Sequence, residues 1–206
     1  MKKITLLLVD DHAVMRMGLV SLLGSCDEFQ VIADTGDGNS GIRKALATRP
    51  DVVILDLAMP DKDGLETTHD LLEKWPEAKI LILTTFGSSD SLSSALETGA
   101  LGAILKSADL KELRKAIISV ANGKHYVSDE ITQIIETDPP VPTLTQRQKD
   151  ILDSVTRGLE NEDIARCFNI SVPMVKEHLT TIFRKIGAAN RAEAVAIALR
   201  KHLLKI

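Results

Sequence analysis

The sequence predicts an α/β domain on a doubly wound, five-stranded parallel sheet, followed by a small all-α domain of four helices. Three observations carry this. Short apolar runs alternate with helical stretches as far as Ala121. The runs at 4–9, 52–55 and 80–83 are nearly continuous rather than alternating, which marks strands covered by helices on both faces. Beyond Thr137-Asp138-Pro139-Pro140-Val141-Pro142-Thr143 no strand-like run remains.

In chain order, the strands are expected at 4–9, 30–33, 52–55, 79–83 and 102–105. Helices are expected between and after them at 14–23, 40–49, 65–75, 89–98 and 109–121. Five such β-α units in succession imply an open sheet with right-handed crossovers. The three prolines between 137 and 143 stop helix and sheet alike and favour an extended spacer. We therefore expect a first domain at 1–122, a linker at 123–143 and a second domain at 144–206. Helices in the second domain are expected at 146–157, 162–168, 172–186 and 191–203. Thr145 and Gln148 suit a capping box, and Asn161 and Ser171 suit N-caps. Pro173 is tolerated in a first turn, and Gly187 suits a helix C-terminus.

Composition narrows the class. The 206 residues are 44% hydrophobic and 26% charged, with one Trp, one Tyr and four Phe, so the core is aliphatic. No run approaches the roughly 20 apolar residues that cross a bilayer. No secretory pattern follows Met1-Lys2-Lys3, so a cytoplasmic protein without a membrane partner is expected. Cys26 and Cys167 match no metal-ligand spacing and read as reduced thiols. The net charge of −4 is unevenly spread. Residues 1–130 hold 14 Lys/Arg against 20 Asp/Glu, whereas 144–206 hold 11 against 7. The basic half is the candidate for a polyanion partner.

In open α/β sheets, ligands sit outside the carboxyl ends of the strands, where strand order reverses. Asp10 and Asp11 follow the first strand and Asp56 ends the third, so three carboxylates should meet at one mouth. They repel one another unless a cation joins them, and oxygen-only ligands favour Mg²⁺. Thr84 ends the fourth strand and Lys106 the fifth, at the same mouth. A carboxylate nucleophile, a hydroxyl, an ammonium and a divalent cation compose a phosphoryl-transfer site. Taken singly, each residue is unremarkable: an Asp after a strand is often a turn former, and a Lys is usually a solvated charge. Their joint placement at four strand ends carries the reading.

Residues 1 to about 122 resemble the receiver domain of two-component response regulators. The matching stretches are Val9-Asp10-Asp11-His12, Leu55-Asp56-Leu57-Ala58-Met59-Pro60 with Gly64, Leu83-Thr84-Thr85, and Gly99-Ala100 through Leu105-Lys106. The resemblance implies a flavodoxin-like fold. It also implies that Asp56 accepts a phosphoryl group from a phosphohistidine on a partner sensor histidine kinase. Asp10, Asp11, Asp56 and the carbonyl of Ala58 would hold Mg²⁺, while Lys106 and Thr84 would contact the phosphoryl group. One departure stands out. Where the family usually has Tyr or Phe, three residues before the Lys, this chain has Ala103, so the aromatic part of the usual relay is missing.

In the second half, 162–186 has helix-turn-helix spacing, with the turn at Asn169-Ile170-Ser171. At 100° per residue, Val175, Leu179, Ile182 and Ile186 share one face, expected to pack on Ile151, Leu152, Ile164 and Ala165. Glu177, Thr180 and Arg184 lie opposite, flanked by Lys176, Thr181 and Lys185. Such a face fits the major groove, with Arg184 and Lys185 suited to phosphates. A helical bundle with a merely solvated polar face gives the same pattern. His178 reads as a packed side chain. The stretches Leu144-Thr145-Gln146-Arg147-Gln148, Gly158-Leu159, Ile164-Ala165, Val175-Lys176, His178-Leu179 and Lys185-Ile186 resemble a LuxR-type domain. That resemblance implies duplex DNA as partner, a recognition helix from Val172, and a last helix able to dimerise. Gln148 stands where Glu is usual, and Met174 where Thr is usual.

Together these readings predict a DNA-binding transcriptional response regulator rather than an enzyme, forming a homodimer on DNA under control of phosphorylation at Asp56. Three rivals are weaker. A regulator indifferent to phosphate is motivated by Ala103. A phosphatase using Asp56 needs a separate general acid that the sequence does not offer. A small-molecule-sensing LuxR-type protein needs an aromatic-lined pocket that this chain cannot supply.

Overall fold

The computed structural model describes all residues except 1, 61, 86–88, 139, 141–143, 202 and 205–206. The chain divides into two compact units, Met1–Pro139 and Pro140–Ile206.

The first unit runs β1 (Ile4–Val9), α1 (Ala13–Gly24), β2 (Phe29–Thr35), α2 (Gly38–Thr48), β3 (Val52–Leu55), α3 (Gly64–Lys74), β4 (Ile80–Thr84), α4 (Ser89–Thr98), β5 (Gly102–Leu105), α5 (Leu110–Ala121), β6 (Tyr126–Val127) and α6 (Asp129–Thr137). All strands are parallel, in the order β2-β1-β3-β4-β5-β6. The order reverses between β1 and β3, so their carboxyl ends frame the crevice where a doubly wound sheet binds ligands.

Strand alternation builds two cores. Leu7, Val9, Val53, Leu55, Ile80, Ile82 and Ala103 face one side, with Ile42, Leu71, Leu92 and Ile131 from the covering helices. Leu6, Leu8, Val52, Ile54, Leu81, Leu83 and Ile104 face the other, covered by Leu19 and Leu23 of α1 and Leu113, Ile117 and Val120 of α5. A sheet buried on both faces needs apolar residues at every strand position, which is why these runs show no alternation in the sequence.

Two elements depart from expectation. The sheet has six strands rather than five, and the stretch 123–143, read as a linker, contains β6 and α6. Strand β6 extends the sheet at β5, with Ala103 opposite Val127 and Tyr126 N donating to Leu101 O at 3.0 Å. Two residues are too short for an alternation signal, but they cover an edge that would otherwise expose unpaired backbone. Ser128 then caps α6 by accepting from Ile131 N at 3.3 Å. The helix packs on α4 and β5, and Ile131 is fully buried. It ends at Thr137, before the prolines; Pro139, Val141, Pro142 and Thr143 lie outside the described residues.

The second unit contains α7 (Gln146–Thr156), α8 (Asn161–Phe168), α9 (Val172–Ile186) and α10 (Arg191–Arg200). Thr145 and Gln148 form the expected capping box, and Ser171 caps α9. Asn161 is the first helical residue rather than the N-cap, a position Glu160 occupies without a side-chain bond. Asn169 (φ 52°) and Gly187 (φ 73°) take the left-handed conformation that ends α8 and α9. Helix α10 ends at Arg200, short of the expected 203.

Candidate functional site

The acid pair sits where β1 ends. Asp10 N donates to Thr35 O at 3.0 Å and Asp56 N donates to Val9 O at 2.9 Å, so sheet hydrogen bonding carries both acids to one mouth. Asp10 and Asp56 are buried, while Asp11 is half-exposed at the rim. Asp10 Oδ1 accepts from His12 N at 2.8 Å, and Asp56 Oδ1 from Ala58 N at 3.2 Å.

Lys106 follows β5, and its backbone N donates to Thr84 O at 2.7 Å. Its ammonium lies 2.7 Å from Asp10 Oδ2 and 2.7 Å from Asp56 Oδ2. The contact with Asp56 is an aligned hydrogen bond; Asp10 Oδ2 pairs with the ammonium by charge but accepts no aligned bond. Burial pulls the Lys106 pKa down, and the adjoining Asp10 and Asp56 carboxylates more than offset it, leaving it raised. Thr84 is fully buried beside this strand end.

The loop after β3 is shaped by Gly64, whose N donates to Leu57 O at 3.0 Å. A Cβ there would fall 2.3 Å from Asp56 O and 2.6 Å from Leu57 Cα, so any side chain would push the Asp56 backbone aside. Asp63 caps α3 by accepting from Glu66 N at 2.7 Å, which fixes the far end of the loop.

Asp10, Asp11, His12 and Asp56 each place one ligand atom within 4.8 Å of the others. Three carboxylates gather around one ammonium, so negative charge is in excess, and among the described residues Asp10 Oδ2 has no aligned donor. An oxygen-rich pocket of this charge fits a hard divalent cation. The structure brings Asp10, Asp11, Asp56 and Lys106 to one mouth, and His12 joins them beyond what the sequence suggested. Its ring Nδ1 lies 2.9 Å from Asp11 Oδ1, and its direct adjacency to the acid pair was the available signal.

Ala103 is fully buried, in the same cluster as Ile131. Ser128 N donates to Ala103 O at 3.1 Å. Helix α6 therefore lies against the strand position where the receiver resemblance implies an aromatic ring. The sequence signal was present: apolar Ile131, Ile134 and Ile135 at helical spacing after the capping Ser128.

In the second unit, Val175, Leu179, Ile182 and Ile186 are buried in one cluster with Ile151, Leu152, Ile164 and Ala165. On α9, Lys176, Glu177, Thr180 and Arg184 are exposed, while Thr181, His178 and Lys185 are half-buried. Lys185 Nζ lies 3.1 Å from Gln148 Oε1, so it ties α9 to the cap of α7 rather than lying open like Arg184. Arg147 stacks on the Phe168 ring at 4.5 Å and donates to Phe168 O, fastening α7 to the end of α8.

An acidic strand-end pocket on a doubly wound sheet, joined in one chain to a helix-turn-helix unit, defines a signal-responsive DNA-binding regulator. Residues 6–118 match the response regulator receiver domain, and residues 142–198 match the luxR family of bacterial regulatory proteins. The chain belongs to the receiver-containing response regulators with a LuxR-type helix-turn-helix domain, a family of transcription regulators rather than enzymes.

It is 32% identical to the transcriptional regulatory protein LiaR of Bacillus subtilis over 98% of this chain and 99% of that one. It is 36% identical to the nitrate/nitrite response regulator protein homolog of Haemophilus influenzae, over 95% and 96% respectively. The crystal structure of the response regulator ChrA, of a heme-sensing two-component system, matches with a TM-score of 0.60 at 32% identity, covering 99% of this chain and all of that one. A structure of the response regulator RcsB in complex with DNA shares the fold, with a TM-score of 0.70 at 21% identity over 97% of this chain and 99% of that one.

Proposed function

We propose that Asp56 is the phosphoryl acceptor of a two-component phosphorelay, and that its phosphorylation controls DNA binding by the C-terminal unit. The observation that carries this is Lys106 held 2.7 Å from both Asp10 and Asp56 at the carboxyl mouth of the sheet. The donor is a phosphohistidine on a sensor histidine kinase. An Asp56 carboxylate oxygen attacks phosphorus, the P–N bond breaks, and the imidazole leaves with its electron pair and takes up a proton. The developing charge on the phosphoryl oxygens is balanced by the Lys106 ammonium, with Thr84 contacting the bound group.

Asp10, Asp11, Asp56 and the carbonyl of Ala58 are the residues that would hold Mg²⁺. When bound, the ion neutralises the acids and the phosphoryl oxygens. The receiver is assigned to 1–122, with β6 and α6 added to its sheet and helical cover, and the DNA-binding domain to 144–206, with the protein acting in the cytoplasm. Helix α9 enters the major groove of duplex DNA, with Lys176, Glu177, Thr180, Thr181, Arg184 and Lys185 on or beside the facing surface. Phosphorylation shifts a pre-existing equilibrium toward a form that dimerises on DNA.

The test is labelling by acetyl phosphate with Mg²⁺. The wild type takes up one phosphoryl group and Asp56→Asn takes up none; an aspartyl phosphate persisting in the variant defeats the assignment. A second reading is favoured by Ala103: DNA binding that does not depend on phosphate. Equal operator affinity before and after labelling, at fixed salt, would select it.

A further inference from the structure

We infer that Arg16 is a positioning residue for the cation-holding turn between β1 and α1. This rests on the proposed Mg²⁺ site. Arg16 lies in the first turns of α1, yet its side chain is only 18% exposed because it folds back beneath the turn. One guanidinium nitrogen, Nη1, donates to the backbone carbonyl of Asp10 at 2.5 Å. Nε donates to Asp34 Oδ2 at 2.9 Å, and Asp34 lies on β2 opposite Leu8. The side chain thus bridges the carboxyl ends of two neighbouring strands.

Each polar group of Asp10 then has a fixed direction. Its N–H goes to Thr35 O, its carbonyl receives Arg16, its Oδ1 receives His12 N, and its Oδ2 faces Lys106. Among these, the Arg16 bond alone sets the peptide plane that leads into Asp11. Gly36 makes room for it: a Cβ at that position would come within 3.2 Å of Arg16 Nη1 and 3.7 Å of Asp10 O. The guanidinium donates to the carbonyl of Asp10 and to Asp34, and in this arrangement leaves the Asp10 and Asp11 carboxylates to the mouth.

Electrostatics and positioning predict opposite signs. By charge alone, losing a cation near an acidic pocket strengthens binding of a divalent ion. By positioning, losing Arg16 frees the turn to rotate and weakens binding, because Mg²⁺ demands near-ideal octahedral placement of its ligands.

The experiment is Mg²⁺ titration by calorimetry of the full-length protein, paired with acetyl phosphate labelling across Mg²⁺ concentrations. Arg16→Ala is expected to raise the Mg²⁺ dissociation constant at least tenfold. The labelling rate at saturating Mg²⁺ should fall far less, so the defect lies in half-saturation. Arg16→Lys, able to reach the carbonyl but not both acceptors at once, should recover part of the affinity. Gly36→Ala keeps every charge and sets a methyl 3.2 Å from Arg16 Nη1, crowding the guanidinium, so any weakening of Mg²⁺ should be in the same direction and smaller. Arg16→Gln, which cannot span both acceptors, decides the matter if Arg16→Ala fails to fold. Unchanged or tighter Mg²⁺ binding in a folded Arg16→Ala or Arg16→Gln variant overturns the inference. A wild type that binds no Mg²⁺ and takes no label on Asp56 overturns the proposed function instead.

Discussion

The Lys106 ammonium and Asp56 Oδ2 are 2.7 Å apart, with 6% and 2% of the two side chains exposed. The residues follow β5 and β3, which are separated by β4, so Lys106 reaches across a gap of about 9.5 Å between strand axes. It can do so because both residues lie just past the ends of their strands, above the tip of β4.

Replacing Lys106 by Met keeps much of the volume and leaves Asp10 and Asp56 as uncompensated buried acids. In the presence of EDTA, Lys106→Met should lose about 3 kcal/mol in urea unfolding. Millimolar Mg²⁺ should return part of that loss, since it binds only the folded state. The raised Lys106 pKa sets the sign with pH. Its contribution is complete below the unfolded value near 10.4 and is lost as pH climbs through the higher folded value. Equal stability of variant and wild type with EDTA would refute the pairing argument.

Asp51 carries the acid-side counterpart. Its Oδ2 accepts from Thr5 N and Thr5 Oγ1, both at 2.8 Å, tying the start of β3 to β1. Burial raises its pKa, and the two Thr5 bonds with the charges of Lys2 and Lys79 together outweigh that, so the net shift is downward. A depressed carboxylate stabilises above its unfolded value near 3.9 and loses the contribution as pH falls through the folded value. Asp51→Asn should therefore be less stable than wild type at pH 7, with the gap closing below about pH 4. A pH-independent gap in chemical unfolding would count against a charge effect.

The ground under Ala103 is testable by size. Ile131→Ala should destabilise the first unit by about 2–5 kcal/mol, as for other fully buried aliphatic deletions. Ala103→Phe inserts a ring into a filled cluster and should cost about 1–3 kcal/mol by overpacking. If Ala103→Phe is instead neutral in thermal unfolding, the space assigned to α6 is open and the packing account fails.

On α9, Arg184→Ala should weaken DNA binding uniformly across sequences and reduce the salt slope by about 1, as loss of one phosphate contact does. Glu177→Ala should change which sequences are preferred and improve non-specific affinity by removing a negative charge from the facing surface. Lys185→Ala should chiefly lower stability, because that side chain lies 3.1 Å from Gln148 Oε1. Fluorescence anisotropy on specific and scrambled duplexes, with parallel thermal melts, separates these three outcomes.

The strands and most helices were readable because their signals are local. Val52–Leu55 is apolar at every position, and Thr145 and Ser171 announce their helices one residue ahead. The region after Ala121 was not readable in the same way. Two-residue β6 has no periodicity of its own, and the prolines beyond Thr137 drew the whole stretch toward a linker reading, although Ser128 and three isoleucines marked α6. Asn161 looked like a cap by residue type, yet the backbone begins the helix at that residue, with Glu160 before it.

The sequence by itself determined the alternation of strands and helices, the acid pair, Asp56 and Lys106 at strand ends, and the apolar stripe of α9. Each follows from residue type at a fixed spacing, and a parallel sheet converts strand order into neighbourhood by rule. Only the tertiary structure decided that Arg16 turns back to the Asp10 carbonyl, that Lys185 is spent on Gln148, and that α6 lies against β5 at Ala103. Those pairings join groups whose separation in sequence carries no periodicity. A long flexible side chain or a short helix finds its partner only after the chain has folded around it.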